Sequence, residues 1–359
     1  MRRPLSSRLV WLATLFVGCS LLEGGSFGEE SAGPATSVAD SIGREVQALF
    51  AKSRDAVVRI ESKDRHGRLS GTGFFIDPNG TVYTSYSVGG ESLDIVVCHG
   101  DMKYPARRVV ADARSGVAIL KVDAETAFLM PAKSRDLALA SAVLAIGFPM
   151  EFPLTPSFGT IGGFDIQYQN SYFALRHIRA NLPVQRGESG APLLNMRGEV
   201  VGILIARIDG GNASYALPIE AAEKVRKDFM RFGEVRPGWL GIEIEPASQS
   251  VAGSTAGVHA LLPESPGAKA GLRPGDVLLK VGDEPIQSPE DVRNAAFFLT
   301  ADDELKIQVS REGAQLDLTV HPSDPPGSPR TARSTLPNAQ TPGFAPGVAN
   351  GALPLSIGP

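Results

Sequence analysis

The sequence predicts a mainly β protein of more than one domain, and three observations carry that prediction. The chain has 359 residues, too many for a single ordinary core. From about residue 55 to residue 225, short apolar runs alternate with Gly, Pro, Asn and Asp. Short, evenly spaced strands of this kind favour a barrel or a sandwich. From about Pro237 a second set of strand, turn and helix signals begins, closed by a hairpin before residue 322.

The elements follow in order. Arg2, Arg3 and Arg8 make a basic start and Leu9 to Gly18 is a short apolar run, so residues 1–23 read as a signal or lipoprotein signal peptide. Phe16-Val17-Gly18-Cys19 partly matches a lipoprotein cleavage box and makes Cys19 a candidate lipid anchor. The expected location is therefore outside the cytoplasm, in the periplasm or cell envelope. Residues 24–54 read as a Gly- and Ser-rich spacer and then a helix from Val38 to about Lys52. Ser37 is its cap, and Val38, Ile42, Val46, Leu49 and Phe50 fall at helical spacing. Strands are expected at Ala56–Ile60, Gly73–Ile76, Thr81–Thr84, Leu93–Cys98 and Val143–Ile146, and a closing helix at Ala221–Phe232.

In the second domain, residues 237–322, Trp239-Leu240-Gly241-Ile242 opens a strand. Glu264 to Leu272 is a short helix ended by glycine, and Pro274-Gly275-Asp276 turns into Val277–Val281. Ser288-Pro289-Glu290-Asp291 starts a helix with a capping serine and a proline in its first turn. Residues 323–359 are Pro-, Gly- and Ser-rich and read as a disordered tail. The formal net charge of −4 gives no basic footprint for nucleic acid. After signal removal no intramolecular disulfide is expected, and Cys98, which follows Ile95-Val96-Val97, reads as a buried strand thiol. No metal or cofactor is expected.

The stretch with chemical content is Gly187-Glu188-Ser189-Gly190-Ala191-Pro192. A glycine two residues before a serine permits a tight turn with unusual backbone angles. Such a turn can aim the Gly187 and Ser189 amides at one point, as an oxyanion hole requires, with Ser189 as nucleophile. Taken alone, the pattern serves equally as a Gly-rich entry to a buried strand. Read together with Ser70-Gly71-Thr72-Gly73-Phe74-Phe75-Ile76-Asp77, Val117–Val122, Val200–Ile203 and Ser214–Ile219, it resembles the HtrA (Deg) family of trypsin-like serine proteases. The likeness runs from about residue 38 to 322. It implies a chymotrypsin/trypsin-like double β-barrel of two six-stranded barrels over residues 55–232, followed by a PDZ domain, of which Ala-Gly-Leu-x-Pro-Gly-Asp is the most specific part.

Acyl transfer by serine needs a base for the hydroxyl proton and a carboxylate to orient that base. The family's histidine lies in a Thr-x-x-His-Val run. The matching run here is Thr84-Ser85-Tyr86-Ser87-Val88, with Ser87 at the histidine position. The family's aspartate opens Asp-Leu-Ala-Val-Leu-Lys; here the run is Gly116-Val117-Ala118-Ile119-Leu120-Lys121, with Gly116 in its place. Losing the histidine of a serine-protease triad costs on the order of 10⁶ in turnover, roughly 8 kcal/mol. Of His66, His99, His177, His259 and His321, His177 is the least implausible substitute base, and a packed or solvated role is expected even for it. Glu188 and Ala191 also depart from the family's usual Asn or Asp and second Gly.

The resemblance implies a PDZ groove in which the loop Trp239-Leu240-Gly241-Ile242 holds a C-terminal carboxylate. Ile242–Glu245 accepts the peptide as a strand, and Val292 and Ala296 line the side-chain pocket. Partners would be peptide or protein C-termini. A homo-trimer, or a hetero-oligomer with an active homologue, would follow from the family's trimerisation. Three functions stay open: a catalytically degenerate peptide binder, an endopeptidase with an unrecognised base, and a scaffold subunit of a protease oligomer.

Overall fold

The computed structural model describes residues 37–168, 171–208 and 212–327. The signal peptide, Cys19 and most of the spacer and tail lie outside the described residues. The chain divides into two compact units at Arg44/Glu45. Helix α1, Val38–Ser53, runs across that boundary. Ser37 caps it as expected: its Oγ accepts the Asp40 N–H at 3.1 Å and donates to the Asp40 carboxylate at 2.7 Å.

The first barrel contains β1 (Val57–Asp64), β2 (Gly67–Phe75), β3 (Thr81–Ser85), β4 (Leu93–His99), β5 (Met102–Pro105), β6 (Arg107–Asp112) and β7 (Val117–Lys121). They pair in the order β5-β4-β1-β2-β3-β7-β6. Seven strands stand where six were expected, because one run is split. β5 and β6 are separated only by Ala106, whose N–H still donates to Ile95 at 2.8 Å. The two end strands are thus halves of one bent stave. Cys98 is a free, buried strand thiol, and burial pushes its proton affinity up. A one-turn helix, α2 (Tyr86–Gly89), follows β3 directly.

The second barrel closes with six strands: β8 (Ala142–Gly147), β9 (Thr155–Tyr168), β10 (Ser171–Asn181), β11 (Pro192–Asn195), β12 (Val200–Arg207) and β13 (Ser214–Pro218). One apolar core spans both barrels. Phe74, Tyr83 and Ile119 of the first pack with Leu144, Leu194, Ile203 and Leu217 of the second. This shared core fixes the loops before β7 and β11 against the end of β3, where the candidate site lies.

Helix α3 (Ile219–Phe232) ends at Gly233 in the left-handed conformation. The carboxylate of Asp228 is 1% exposed. It pairs with Lys224, accepts the Arg236 N–H at 3.0 Å and receives the Thr300 hydroxyl at 3.2 Å. A buried carboxylate needs such compensation, and here the compensation ties the barrels to the second domain.

The second domain contains β14 (Ile242–Val251), β15 (Ser254–Leu261), α4 (Pro266–Lys269), β16 (Val277–Val281), β17 (Glu284–Pro285), α5 (Pro289–Phe297), β18 (Leu305–Arg311) and β19 (Ala314–Val320). Its sheet runs β14-β15-β16-β18-β19, with β17 on β16. Asp276 of the Pro-Gly-Asp turn is buried and accepts two bonds from Arg311, at 2.7 and 2.8 Å, and one from the Arg273 N–H at 2.9 Å. Ser288 and Asp291 form the capping box of α5. Order extends past the expected end of this domain: Trp239 and Ser323 exchange N–H···O bonds of 2.7 and 3.0 Å, and Asp324 pairs with Arg236 at 2.7 Å. The tail therefore does not start at 323. Among the described residues no helix is long and apolar enough to cross a membrane.

Candidate functional site

Glycine decides the shape of the Ser189 loop. Gly187 has φ +98° and Gly190 φ +91°, the region that side chains disfavour. A Cβ on Gly187 would lie 2.3 Å from the Phe148 carbonyl, and one on Gly190 would lie 2.1 Å from the Thr72 carbonyl. Thr72 of β2 clamps the loop. Its N–H donates to the Ser189 carbonyl at 2.9 Å, and its hydroxyl donates to the Gly187 carbonyl at 2.7 Å. The N–H groups of Gly187 and Ser189 meet no acceptor among the described residues, whereas Glu188 N–H bonds the Gln185 carbonyl at 3.1 Å.

Three elements deliver three serines to one point. Ser85 ends β3, Ser87 lies in α2 and Ser189 sits on the loop before β11. The Ser189 hydroxyl is 2.9 Å from that of Ser85 and 3.1 Å from that of Ser87, and Ser85 and Ser87 are 3.0 Å apart. Ser189 also donates to the Ile205 carbonyl at 3.3 Å. No imidazole and no carboxylate reaches the Ser189 hydroxyl among the described residues. Hydroxyls are weak acceptors with no basic lone pair at neutral pH.

Gly116 stands behind Ser87 through its backbone. Its carbonyl accepts the Tyr86 N–H at 2.6 Å, and it has φ +76°. Asp112 is spent on the preceding turn, accepting from Ser115 N–H at 3.0 Å. His177 is packed, as expected. It is buried, stacks on Phe173 at 4.0 Å between ring centres and bonds the Leu175 carbonyl at 2.8 Å. Burial pushes its proton affinity down. Glu188 is 2% exposed and turned inward, its Oε2 accepting the Gln185 N–H at 2.6 Å. Burial raises its pKa above the usual carboxylate range. Ala191 is fully buried.

Sequence reading missed Ser85 and the role of Thr72. Their partners lie more than a hundred residues away in the chain, at separations of 104 and 115, where periodicity says nothing. The signal available for Ser85 was its place two residues before Ser87 in a serine-rich run.

The second constellation is built from backbone. Gly241 has φ +70°, and a Cβ there would lie 2.3 Å from the Ser265 Cβ. The carbonyls of Leu240 and Gly241 are taken by Gly267 N–H (2.9 Å) and Leu262 N–H (3.0 Å), while their own N–H groups meet no acceptor among the described residues. Ile242 opens β14, an edge strand whose other side pairs with β15. Leu240, Ile242, Ile244, Val292 and Ala296 pack in one apolar cluster. Val292 is 6% exposed, so it serves the core and leaves Ala296, half-buried, as the wall. Helix α5 is braced from behind by Arg176, whose N–H donates to Asn294 Oδ1 at 2.8 Å and whose guanidinium lies 2.5 Å from Asp291. No cluster of three or more potential metal ligands occurs among the described residues.

Comparisons with known proteins bear on the two domains and their family. The trypsin-like peptidase domain model matches residues 71–203 and the PDZ domain model residues 238–321. A Pseudomonas fluorescens protein named "Probable periplasmic serine endoprotease DegP-like" is 33% identical over 273 residues, 72% of this chain and 57% of that protein. A Halomonas elongata protein of the same name is 31% identical over 278 residues, 74% of this chain and 58% of its own length. The chain thus spans a little over half of the curated relatives it matches. Among solved structures, the HtrA-type protease AlgW with tripeptide superposes with a TM-score of 0.65 over 79% of this chain and 98% of that one, at 22% identity. The serine endoprotease from Yersinia pestis gives 0.56 over 78% and 97%, at 23% identity. The fold is trypsin-like followed by PDZ.

Proposed function

Because this chain belongs to the HtrA family, with a trypsin-like peptidase domain followed by a PDZ domain, we propose that it is an exported, periplasmic member that binds polypeptides and does not cleave them. One observation carries this reading. Among the described residues, the Ser189 hydroxyl has only the hydroxyls of Ser85 and Ser87 and the Ile205 carbonyl in hydrogen-bond reach. A serine without a base is not an activated nucleophile. A well-built oxyanion hole alone leaves about 10³ to 10⁴ over water, far below a working protease. The periplasmic names of the relatives support the location, as does the signal-like N-terminus.

Binding is assigned to the PDZ domain, through the free Leu240 and Gly241 amides and the open edge of β14. A structural neighbour described with a tripeptide supports a peptide as the ligand class. The shape of the Ser189 loop favours a second reading, an endopeptidase with a base supplied from elsewhere, in keeping with the relatives' names. Casein turnover and labelling by a fluorophosphonate decide between them. The binding reading expects neither above background. Rapid labelling that disappears in Ser189→Ala would overturn it.

A further inference from the structure

We propose that His259, acting through Glu245, gives the peptide groove a pH-dependent preference for a basic side chain at the fourth position from a ligand's C-terminus. The inference rests on the PDZ peptide-binding reading and names the ligand class of that site. It starts from an irregularity in the sheet. Between β14 and β15, Glu243 faces Ala260 and Ile244 faces Val258. His259 is therefore the extra residue of a bulge, a device that re-aims a side chain. Its exposed ring reaches toward β14, with Nδ1 3.2 Å from the Glu245 carboxylate.

Strand β14 is the edge of the sheet, so a peptide added there lies beside it. Ile242 and Ile244 are half-buried in the apolar cluster, while Glu243 and Glu245 are exposed. With the ligand carboxylate at the Leu240 and Gly241 amides and its last residue beside Ile242, the fourth residue from its end lies beside Glu245 and on the same face. Opposite charges on neighbouring strands attract and like charges repel. Glu245 thus favours lysine or arginine there over glutamate or aspartate. His259 lies one strand further from the ligand. When it carries a proton, it offsets the Glu245 charge from the other side and removes that preference.

The charges around the pair leave the switch to His259. Glu243 is the only other ionisable side chain of β14, and β15 carries none besides His259. The turn before β16 bonds Val258, through the Gly275 N–H at 2.9 Å and the Asp276 carbonyl at 2.8 Å. That turn brings Arg273, which is exposed, and the Asp276 carboxylate, which is buried and held by Arg311. Lys280 of β16 lies past the Gly257–Val277 pair, toward the Ser254 end of β15. Helix α5 packs with Ala256 and Val258, so its Glu290, Asp291 and Arg293 lie across the sheet from His259. Histidine is the side chain whose ordinary charge change falls between about pH 5 and 8, whereas free carboxylates stay ionised above about pH 5.

Amide shifts of Leu240 and Gly241 in the full chain read the groove and keep it apart from the cleft at Ser189. The probes are N-acetyl-Ala-Lys-Ala-Ala-Val, N-acetyl-Ala-Glu-Ala-Ala-Val and the C-terminal amide of the first. At low salt and about pH 7.5 the lysine peptide should bind about three-fold or more tighter than the glutamate peptide. At about pH 5.5 the two should bind within about two-fold of each other. His259→Gln, which cannot take the proton, should keep the lysine preference at both pH values. Glu245→Gln should abolish it at both. Both side chains are exposed, and the free acid should outbind the amide in each variant, which checks that the groove is intact. A lysine preference of equal size at both pH values, or none at either, would overturn the proposal. So would a preference that still fades at the lower pH in His259→Gln. Equal binding of acid and amide by the wild type would overturn the groove assignment, and the proposal with it.

Discussion

The Ser189 loop and the Leu240–Gly241 loop solve the same local problem and differ in what surrounds them. Each uses a glycine at positive φ, each spends its carbonyls on the scaffold, and each leaves two N–H groups without an acceptor among the described residues. For carboxylate capture that is sufficient, because the donors are backbone and need no particular side chain. For hydrolysis it is not. On the proposed reading, the base and its orienter would come from α2 and from the turn before β7, where Ser87 and Gly116 stand. On that reading, two substitutions far from the loop in sequence remove hydrolysis while the loop keeps its fold. No comparable pair of substitutions would disable the groove, where the accepting edge of β14 is also backbone.

The comparison is broken most severely by restoring what the cleft lacks. In Ser87→His with Gly116→Asp, hydrolysis of casein should rise on the order of 100-fold or more over the wild type, given the cost of losing a triad histidine. Room exists at position 116, where a Cβ would meet Leu217 at 3.4 Å. The backbone there is less welcoming: φ is +76°, and an aspartate in the left-handed region costs about 1 kcal/mol. The double variant should thus melt slightly below the wild type while gaining activity. A folded but inert double variant would mean that the oxyanion amides are misdirected.

The next largest effect lies in the groove. A peptide with an apolar C-terminal residue should bind with micromolar affinity, about −8 kcal/mol, and amidating its C-terminus should weaken binding about ten-fold or more. Titrating the full chain and reading the Leu240 and Gly241 amides keeps this site apart from the cleft. Equal affinity for acid and amide would reject the carboxylate-loop assignment.

What the sequence revealed follows the same division. Ser189, Gly187, Ser87, Gly116 and the Trp239–Ile242 loop each sit in a run whose spacing survives; the structure brings Ser87 within 3.1 Å of Ser189 and sets Gly116 against the Tyr86 N–H. The three-serine arrangement was not legible. Ser85 reaches Ser189 only because the shared core of the two barrels brings β3 against the loop before β11. The clamp by Thr72 was hidden for the same reason, since it spans 115 residues. Val292 was placed on the correct helix face, but the density of the second core left it almost no surface. The split of one barrel stave at Ala106 reflects a bend that composition does not encode.

Glu188 sharpens the comparison on the stability axis, because the groove loop has no counterpart to it. Burial raises its pKa above the unfolded value of 4.5. The folded state therefore holds a proton that the unfolded state releases, and stability is lost as pH rises through this window. Glu188→Gln keeps an acceptor for the Gln185 N–H and removes the titration. It should stabilise the chain at neutral pH by roughly 1 kcal/mol and change nothing below about pH 4, where both states are protonated. Chemical denaturation at pH 4 and pH 7.5 measures this. A gain of equal size at both pH values would show that packing, not charge, is what changed.

The smallest effect concerns which peptides the groove prefers. Along β14, Ile242 and Ile244 are half-buried and face the apolar cluster, while Glu243 and Glu245 are exposed. Side chains of a strand alternate between faces, so an added peptide strand must follow the same alternation. If its last residue sits beside Ile242, its penultimate side chain lies on the face of Glu243 and the fourth from the end on that of Glu245. The Glu245 carboxylate is 3.2 Å from His259 Nδ1, whereas Glu243 has no ion-pair partner among the described residues. A lysine at the penultimate position should therefore bind more tightly than a glutamate by a few-fold, the roughly 0.2–1 kcal/mol of a cross-strand charge pair. The preference should fade at high salt, as exposed pairs do, and Glu243→Lys should reverse its sign while binding still requires the free carboxylate. A preference that persists unchanged in Glu243→Lys would place the determinant on α5, where Glu290 and Arg293 lie partly exposed, instead of on the strand.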